Sequence, residues 1–206
     1  MNLIIIGSGG HCGVVIDAVL KSKAWEISGL LDETLPPDGI RHGQRLLDMR
    51  TITLVNPGGY KFFVAIGDNV IRERFSKIPG LSMVNIFHPR SYQADKVLSE
   101  GVFFAVNSVV GAGSHVGNFC IVNTGAILDH DSTLGDFSHL CPGVVTGGHV
   151  KIGKRTVVGL AAMIRDGVTI GDNCTIGMGS VVVNDVLSNT IGWGNPFRVQ
   201  NANRQP

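Results

Sequence analysis

The stretch "AILDHDSTLGDFSHLCPGVVTGGHVKIG", residues 126–153, decides the fold. Aliphatic side chains recur in it at multiples of six positions, at Leu128, Leu134, Leu140 and Ile152. A spacing of six matches neither the 3.6-residue period of an α-helix nor the two-residue alternation of a β-strand. The segment also contains three histidines, His130, His139 and His149, and these stand outside the aliphatic series.

The same register extends in both directions without an insertion. Cut into hexapeptides from residue 98, the chain has an apolar first residue in fourteen of fifteen units. These first positions are Leu98, Phe104, Val110, Val116, Val122, Leu128, Leu134, Leu140, Thr146, Ile152, Val158, Ile164, Ile170, Ile176 and Val182. Glycine often follows directly, and the fifth position is mostly small. Chance does not maintain such a register over so many units.

A six-residue repeat of this kind predicts a left-handed parallel β-helix. Each hexapeptide is a short strand plus a corner, and three of them form one coil of about 18 residues. Successive coils pair as parallel strands about 4.8 Å apart, so the first-position side chains stack inside. A left-handed β-helix would be an exception to the rule that connections between parallel strands are right-handed. The three histidines lie off the inward column, and we expect them to face water or a neighbouring subunit.

The coil length also places Gly148 beside His130. Residue 130 plus one coil is residue 148, so the two should be stacked about 4.8 Å apart. A glycine at that point allows close approach by a ligand, and its backbone N–H is available to an oxyanion.

The N-terminal part of the chain has a different pattern. "NLIIIG" is an apolar run typical of a buried parallel strand, and "GSGGHCG" and an amphipathic segment follow it. "WEISGLLDET" predicts a second strand ending at Asp32 and Glu33, and "YKFFVAIGDNVIRERFSKI" predicts another strand, turn and helix. This predicts an α/β Rossmann-like lobe over residues 1–84, ahead of a β-helix domain with a C-terminal tail over residues 85–206.

The glycine-rich turn by itself is a weak signal for nucleotide binding. The dinucleotide spacing G-x-G-x-x-G fails at Cys12, and such a turn can be a simple tight connection. Where it does bind a nucleotide, the helix N-terminus presents free N–H groups to phosphate, and acids at the end of the second strand accept bonds from the ribose. The size of the lobe favours a mononucleotide, or a sugar attached to one.

Composition excludes several other classes. The 17 basic and 16 acidic residues give a net charge of +1, which argues against a nucleic-acid-binding surface. No apolar run approaches the length of a membrane span. The four cysteines form no CxxC pair and no zinc-like spacing, so free thiols and a cytoplasmic location are expected.

The two parts together resemble a known family. "GSGGH", "NIFHPRS", the uninterrupted hexapeptide repeat, "DHDSTLGDFSHL" and the tail "GNPFRV" look like those of the sugar acyltransferases of bacterial glycan synthesis. That family includes bacillosamine-type UDP-4-amino-sugar N-acetyltransferases, perosamine N-acetyltransferases and sialic acid O-acetyltransferases. The resemblance implies transfer of an acetyl group from acetyl-CoA directly to the amino group of a UDP- or GDP-linked amino sugar, with no metal required.

The resemblance also implies roles for particular residues. His130 would be the general base, oriented by Asp131, which stands where some relatives carry glutamate. His139 would lie close to the thioester of acetyl-CoA, and Gly148, Leu160 and Gly177 are assigned to the same cofactor side. The nucleotide part of the sugar would be bound by Ser8, Gly9, His11, Asp32 and Glu33. A catalytic histidine on the outside of the β-helix needs the surface of a second subunit to form a cleft, so a homotrimer with sites between subunits is expected.

Three alternatives stay open at this point. O-acetylation of sialic acid or a related sugar would use the same fold and base. A trimeric zinc hydratase of the γ-carbonic-anhydrase type also has this helix, although the nucleotide-type lobe has no purpose in it. The third is a nucleotide-sugar-binding module without activity.

Overall fold

The protein, described here from a computed structural model, is defined over residues 1–50 and 59–200. Residues 51–58 of the expected N-terminal domain and residues 201–206 of the expected C-terminal domain lie outside the described residues. Neither of the two described helices is long and apolar enough to cross a membrane.

The N-terminal part is a five-stranded sheet with helices. Its elements are β1 (Asn2–Ile6), α1 (Gly10–Ser22), β2 (Glu26–Leu31), β3 (Ile40–Arg41), β4 (Gln44–Leu47), β5 (Lys61–Val64) and α2 (Asn69–Ser76). The strand order is β3-β4-β2-β1-β5, parallel except for β3 on β4. The apolar run of β1 is buried because β1 is central and paired on both sides. The α/β lobe expected from the sequence is therefore confirmed.

The rest of the chain is a parallel β-helix, as the six-residue repeat predicts. Its strands are β6 (Ile86–Phe87), β7 (Tyr92–Gln93), β8 (Phe103–Phe104), β9 (Val109–Val110), β10 (His115–Val116), β11 (Ile121–Val122), β12 (Ile127–Leu128), β13 (Thr133–Leu134), β14 (His139–Leu140), β15 (Val145–Thr146), β16 (Lys151–Ile152), β17 (Val157–Val158), β18 (Met163–Ile164), β19 (Thr169–Ile170), β20 (Thr175–Ile176), β21 (Val181–Val182), β22 (Ile191–Trp193) and β23 (Arg198–Val199). Strands pair with the third strand along, as in β10 with β13 and β13 with β16.

The strands form three sheets, which we name by what their outward side chains meet. The lobe-facing sheet contains β6, β8, β11, β14, β17, β20, β22 and β23; the apolar sheet contains β7, β9, β12, β15, β18 and β21; the polar sheet contains β10, β13, β16 and β19. The last pair, β22 with β23, is antiparallel and ends the helix.

The inward column is the one that the repeat predicts, with one exception. From Phe104 to Val182 every first-position side chain is buried, including the polar Thr146. Leu98, expected to be the first of the series, is instead 81% exposed. Val97 packs against the interior in its place, because the chain is not yet in the regular register between β7 and β8.

The outward side chains differ from sheet to sheet. On the polar sheet they are His115, Thr133, Lys151 and Thr169, all exposed. On the apolar sheet they are Tyr92, Val109, Ile127, Val145, Met163 and Val181. On the lobe-facing sheet, Phe103 and Ile121 are buried in a cluster with residues of β1 and α1. Among the described residues, the N-terminal lobe therefore covers one face of the β-helix and leaves an apolar face uncovered.

A buried guanidinium links the two parts. Arg72 of α2 is fully buried and donates hydrogen bonds to the Phe119 and Phe137 carbonyl oxygens, at 2.7 and 2.8 Å, on two corners of the β-helix. The same group donates to the Ile66 and Gly67 carbonyl oxygens after β5, at 2.9 and 3.0 Å. Burial lowers the pKa of Arg72 to about 10, so it stays charged at neutral pH.

Replacement of this guanidinium should destabilise the protein. We expect Arg72→Met to lower the free energy of unfolding by at least about 3 kcal/mol, because several buried carbonyl oxygens lose their donor. Guanidinium-chloride denaturation followed by fluorescence measures it, since Trp25 and Trp193 report on the lobe and the β-helix respectively.

Arg74→Met is the matched control, since Arg74 lies on the same helix but its side chain is 60% exposed and pairs with Glu33 at the surface. The Arg74→Met variant should lose at most about 1 kcal/mol of unfolding free energy. Equal losses for the two variants would contradict the role assigned to Arg72.

Candidate active site

His130 and Asp131 form a hydrogen-bonded pair at the corner between the apolar and polar sheets. They stand between β12 and β13, where the chain turns, and Asp131 has a φ of 55°. The distance from His130 Nδ1 to Asp131 Oδ2 is 2.8 Å. A carboxylate oxygen can only accept, so Nδ1 carries the hydrogen and the neutral ring has its free lone pair on Nε2. This is the arrangement that a general base requires.

Gly148 lies against the His130 ring, as the coil spacing predicts. A Cβ placed on Gly148 would be 2.4 Å from both Cε1 and Nε2 of His130, so no larger residue fits without moving the ring. Within the described part of the chain, no group accepts a hydrogen bond from the Gly148 N–H. An unpaired donor therefore lies beside the basic nitrogen. Its use in a reaction stays a prediction.

The backbone ahead of His130 is held by the one polar residue of the inward column. Thr146 Oγ1 accepts a hydrogen bond from Asp129 N at 3.0 Å, and Asp129 Oδ1 accepts one from His130 N at 2.8 Å. Sequence reasoning missed this role, although the break in the apolar series at Thr146 was a signal for it.

Asp131 also acts on the basicity of His130. The hydrogen bond from Nδ1 to the carboxylate raises the pKa of His130 above its ordinary value, and it lowers the pKa of Asp131. His149 lies one coil after Asp131 and has a similar φ of 58°. Its ring is edge-on to that of His130, with the ring centroids 5.1 Å apart. His130, Asp131 and His149 are also a cluster that could hold a metal ion.

A second site lies in the N-terminal lobe. A cavity of about 310 Å³ opens above the carboxyl ends of β1, β2 and β5, at the N-terminus of α1. All five residues expected to bind the nucleotide line it: Ser8, Gly9, His11, Asp32 and Glu33. The start of α1 has no side-chain cap, so its first N–H groups are available to an anion.

Asp32 also holds the glycine-rich turn in place, and its expected contact with the ribose stays a prediction. Its Oδ2 accepts from Ser8 N at 3.0 Å and from Ser8 Oγ at 2.5 Å, while Oδ1 accepts from Thr34 N and Oγ1. These bonds lower the pKa of Asp32 against the opposing effect of burial. The carboxylate thus fixes the glycine-rich turn, and its oxygens are already engaged.

Two residues near the glycine-rich turn and the cavity carried no sequence signal. His42 Nε2 lies 3.0 Å from Ser8 O and 3.1 Å from Gly9 O, on the other side of the turn. Arg74 also lines the cavity, paired with Glu33 and placed 4.8 Å from the Phe75 ring centroid. Both come from segments distant in sequence.

His139 was expected to face water or a neighbouring subunit, but it faces the N-terminal lobe of its own chain. It lies on the lobe-facing sheet with its ring 6.2 Å from that of His11, so the N-terminal lobe covers it and leaves it half-buried. Asn123 Nδ2 is 3.0 Å from His139 Nε2. Burial, with smaller effects of His11 and Arg72, lowers the pKa of His139 to about 3, and burial lowers that of His11 to about 4. Both rings are neutral at physiological pH.

The residues assigned to the cofactor side fall on two different corners. Gly148 is with His130, but Leu160 follows β17 and Gly177 follows β20, at the corner between the lobe-facing and apolar sheets. Gly177 also has a packing reason, since a Cβ there would lie 2.5 Å from Trp193 Cβ. In one chain the apolar sheet separates this corner from His130. The roles assigned to His139, Leu160 and Gly177 stay predictions.

Comparison with known proteins places this geometry in context. The PglD N-terminal domain model matches residues 2–78, and the model for the hexapeptide repeat of succinyl-transferase matches residues 149–183. GDP-perosamine N-acetyltransferase of Escherichia coli O157:H7 is 32% identical over 177 residues, which are 82% of this chain and 80% of that protein.

Solved structures agree over nearly the whole chain. PerB from Caulobacter crescentus, in complex with CoA and GDP-perosamine, superposes with a TM-score of 0.90 at 32% identity and covers 98% of both chains. The acetyltransferase domain of PglB from Neisseria gonorrhoeae, in complex with acetyl coenzyme A, gives 0.91 at 29% identity, covering 97% of this chain and 98% of that one. These relatives favour acyl transfer over a zinc hydratase or a binding module. This chain belongs to the hexapeptide-repeat sugar acyltransferase family.

Proposed function

We propose that this protein is an acetyl-CoA-dependent N-acetyltransferase that acts on the amino group of a nucleotide-linked amino sugar in bacterial glycan biosynthesis. The observation that carries the proposal is the His130–Asp131 pair, which leaves a basic Nε2 beside the free N–H of Gly148. The relatives bound to CoA and GDP-perosamine support the substrate classes. The expected cytoplasmic location is part of the same proposal.

The reaction follows from these groups. The sugar amine attacks the thioester carbonyl carbon, His130 Nε2 accepts the amine proton, and Gly148 N–H stabilises the oxyanion. When the C–S bond breaks, the imidazolium returns that proton to the CoA thiolate, which gives an amide and a free thiol. Asp131 stabilises the imidazolium in between, because its carboxylate accepts from Nδ1 throughout.

The cavity of the lobe supplies the nucleotide site in this proposal. The uncapped N-terminus of α1 suits the diphosphate, and the turn made by Ser8 and Gly9 lets the backbone approach it. His11 lies at the base of this turn, against the His139 ring, so the two parts of the chain meet next to the substrate.

The proposed homotrimer explains why the expected site residues are divided between two corners. A threefold assembly brings one face of each chain against a different face of the next, which is a heterologous contact. If the apolar sheet makes that contact, the His130 corner of one chain comes next to the Leu160 and Gly177 corner of its neighbour. The uncovered column that contains Val145 and Met163 supports this interface, because an exposed apolar patch marks an interaction surface.

An acceptor screen tests the proposed reaction. The purified protein with acetyl-CoA should acetylate a GDP- or UDP-linked 4-amino sugar, with thiol release and gain of one acetyl group by mass spectrometry. Gly9→Leu should raise the KM for the sugar nucleotide at least about 10-fold and leave the acetyl-CoA KM unchanged, because Gly9 lines the cavity and a Cβ placed on it meets no protein atom within 4 Å.

Two results would contradict these assignments. Acetylation of a sialic acid hydroxyl, with no transfer to any amino sugar, would favour the O-acetyltransferase alternative. Equal changes in both KM values for Gly9→Leu would mean that the cavity is not the nucleotide site.

Removal of the base should lower turnover without weakening binding. We expect His130→Ala to lower kcat by about 10²–10⁴-fold, the usual contribution of a general base, with both KM values within a few-fold. His115→Ala is the matched control, since this exposed histidine lies on the polar sheet away from the pair. Normal kcat in His130→Ala would rule out this base.

The pH profile reports on the same pair independently. The neutral ring is the active form, so kcat/KM falls as the pH drops below the raised pKa of His130. Asp131→Asn removes the cause of that rise, so the acidic limb of its profile should move to lower pH. If the acidic limb of the Asp131→Asn profile does not move, a group other than His130 controls it.

A charge on the apolar sheet should dissociate the trimer. Met163 is 51% exposed in the middle of the apolar column, and Met163→Glu would bury a carboxylate in the interface. We expect monomers in sedimentation velocity and loss of turnover, because two chains complete each site. Thr169→Glu puts the same charge on the polar sheet and should leave both the trimer and the activity intact. A fully active Met163→Glu monomer would refute the shared site.

A further inference from the structure

Three side chains at the His130 corner converge on one point in space. Asp131 Oδ2 is 2.8 Å from His130 Nδ1 and 4.0 Å from His149 Nε2. One ligand-type atom from each of the three residues lies within 4.8 Å of the others, and all three side chains are exposed. The acyl-transfer mechanism uses His130 and Asp131 and leaves His149 without a role.

This set of atoms has the chemistry of a transition-metal site. Two imidazoles and a carboxylate are common ligands of Zn²⁺ and of Co²⁺, which accepts similar ligands. Metal–ligand bonds of about 2.0–2.1 Å in a tetrahedron put the ligand atoms about 3.3 Å apart. The observed separations reach that value with side-chain shifts of about 1–1.5 Å. The fourth position is open to water.

The backbone favours the convergence. His149 has a φ of 58° and its N–H donates to the His130 carbonyl oxygen at 2.9 Å, which binds the two histidines to each other across one coil. Gly148, the residue before His149, has no side chain that would push the His130 ring away. The cluster is thus a product of the coil geometry and needs no long-range rearrangement.

We propose that His130, Asp131 and His149 form a binding site for Zn²⁺-type ions, and that a bound ion inhibits the enzyme. The inference rests on the proposed function in one respect, the role of His130 as the base. It gives His149 a function, as the ligand that is present for the metal and not for acyl transfer.

Inhibition follows from the tautomer of His130. In the active form Nδ1 carries the hydrogen that Asp131 accepts, and Nε2 has the free lone pair. A metal ion bound at Nδ1 takes that lone pair and displaces the hydrogen, and a neutral ring must then carry its hydrogen on Nε2. The proton moves from Nδ1 to Nε2 through solvent, and nothing is oxidised or reduced. The ring with Nε2–H cannot accept the amine proton.

Cobalt titration tests the site without reference to turnover. The full-length protein in metal-free buffer is titrated with Co²⁺ alone and followed by visible absorption, which is intense for tetrahedral nitrogen and oxygen ligation. We expect one Co²⁺ per chain in the wild type. His149→Ala should weaken this binding at least about 100-fold, more than the loss of an outer partner costs, and His115→Ala should leave it unchanged.

Kinetics with Zn²⁺ then tests the inhibition. Micromolar Zn²⁺ should lower the kcat of the wild type and of His115→Ala at least about 10-fold, reversibly with EDTA. His149→Ala should keep its metal-free kcat within about twofold and resist the ion. His149→Asn, which cannot replace a zinc-binding imidazole but keeps a polar group, should behave in the same way.

Two outcomes would overturn the inference. If Co²⁺ binds His149→Ala as tightly as the wild type, the ion occupies another site. If Co²⁺ and Zn²⁺ bind the wild type at this corner and turnover is unaffected, Nδ1 of His130 is not a ligand. Because the absorption titration needs no substrate, a failure of the proposed acyl transfer is distinguishable from either result.

Discussion

The arrangement of the whole molecule depends on the buried guanidinium of Arg72. A planar group with five N–H donors is the side chain best able to satisfy several carbonyl oxygens at once, and here these come from both parts of the chain. A charge taken out of water is costly unless it is fully hydrogen-bonded. Asn69 Oδ1 accepts as well, at 2.6 Å, so the group is saturated. The lobe therefore has one position on the β-helix.

That position sets the local chemistry on the lobe-facing sheet. The turn at Ile66 and Gly67, which Arg72 holds, also lines the nucleotide cavity. The Gly67 backbone lies close enough to the His139 ring to raise its pKa slightly against the larger lowering effect of burial. His139 is in turn bonded to Asn123 at the next corner. A change in the cavity therefore has a short, packed route to the corner that we assign to the acyl donor. The two histidines along it, His11 and His139, stay uncharged because burial lowers the pKa of both rings.

Features that follow from the local repeat could be predicted from the sequence, whereas contacts between distant segments could not. The inward column from Phe104 to Val182 and the stacking of Gly148 on His130 follow from an integer coil length, so counting residues was sufficient. Leu98 was placed wrongly, because the count assumed a regular register before the first full coil. The burial of His139, the engagement of Asp32 by Ser8, and the contacts of His42 depend on segments that meet only in the folded chain. No repeat encodes those encounters.

Because its strands pair in regular coils, the β-helix places equivalent residues at fixed intervals along its axis. Each coil advances the chain by about 4.8 Å and returns every side chain to the same azimuth. Duplication or loss of one whole coil would shift the catalytic corner along the axis by the height of one coil and leave its orientation unchanged. The distance between the nucleotide cavity and the acyl-transfer corner can thus vary only in discrete steps during evolution. Relatives with longer or shorter acceptors would differ by complete coils, and a designer could change the reach of the enzyme in the same increments.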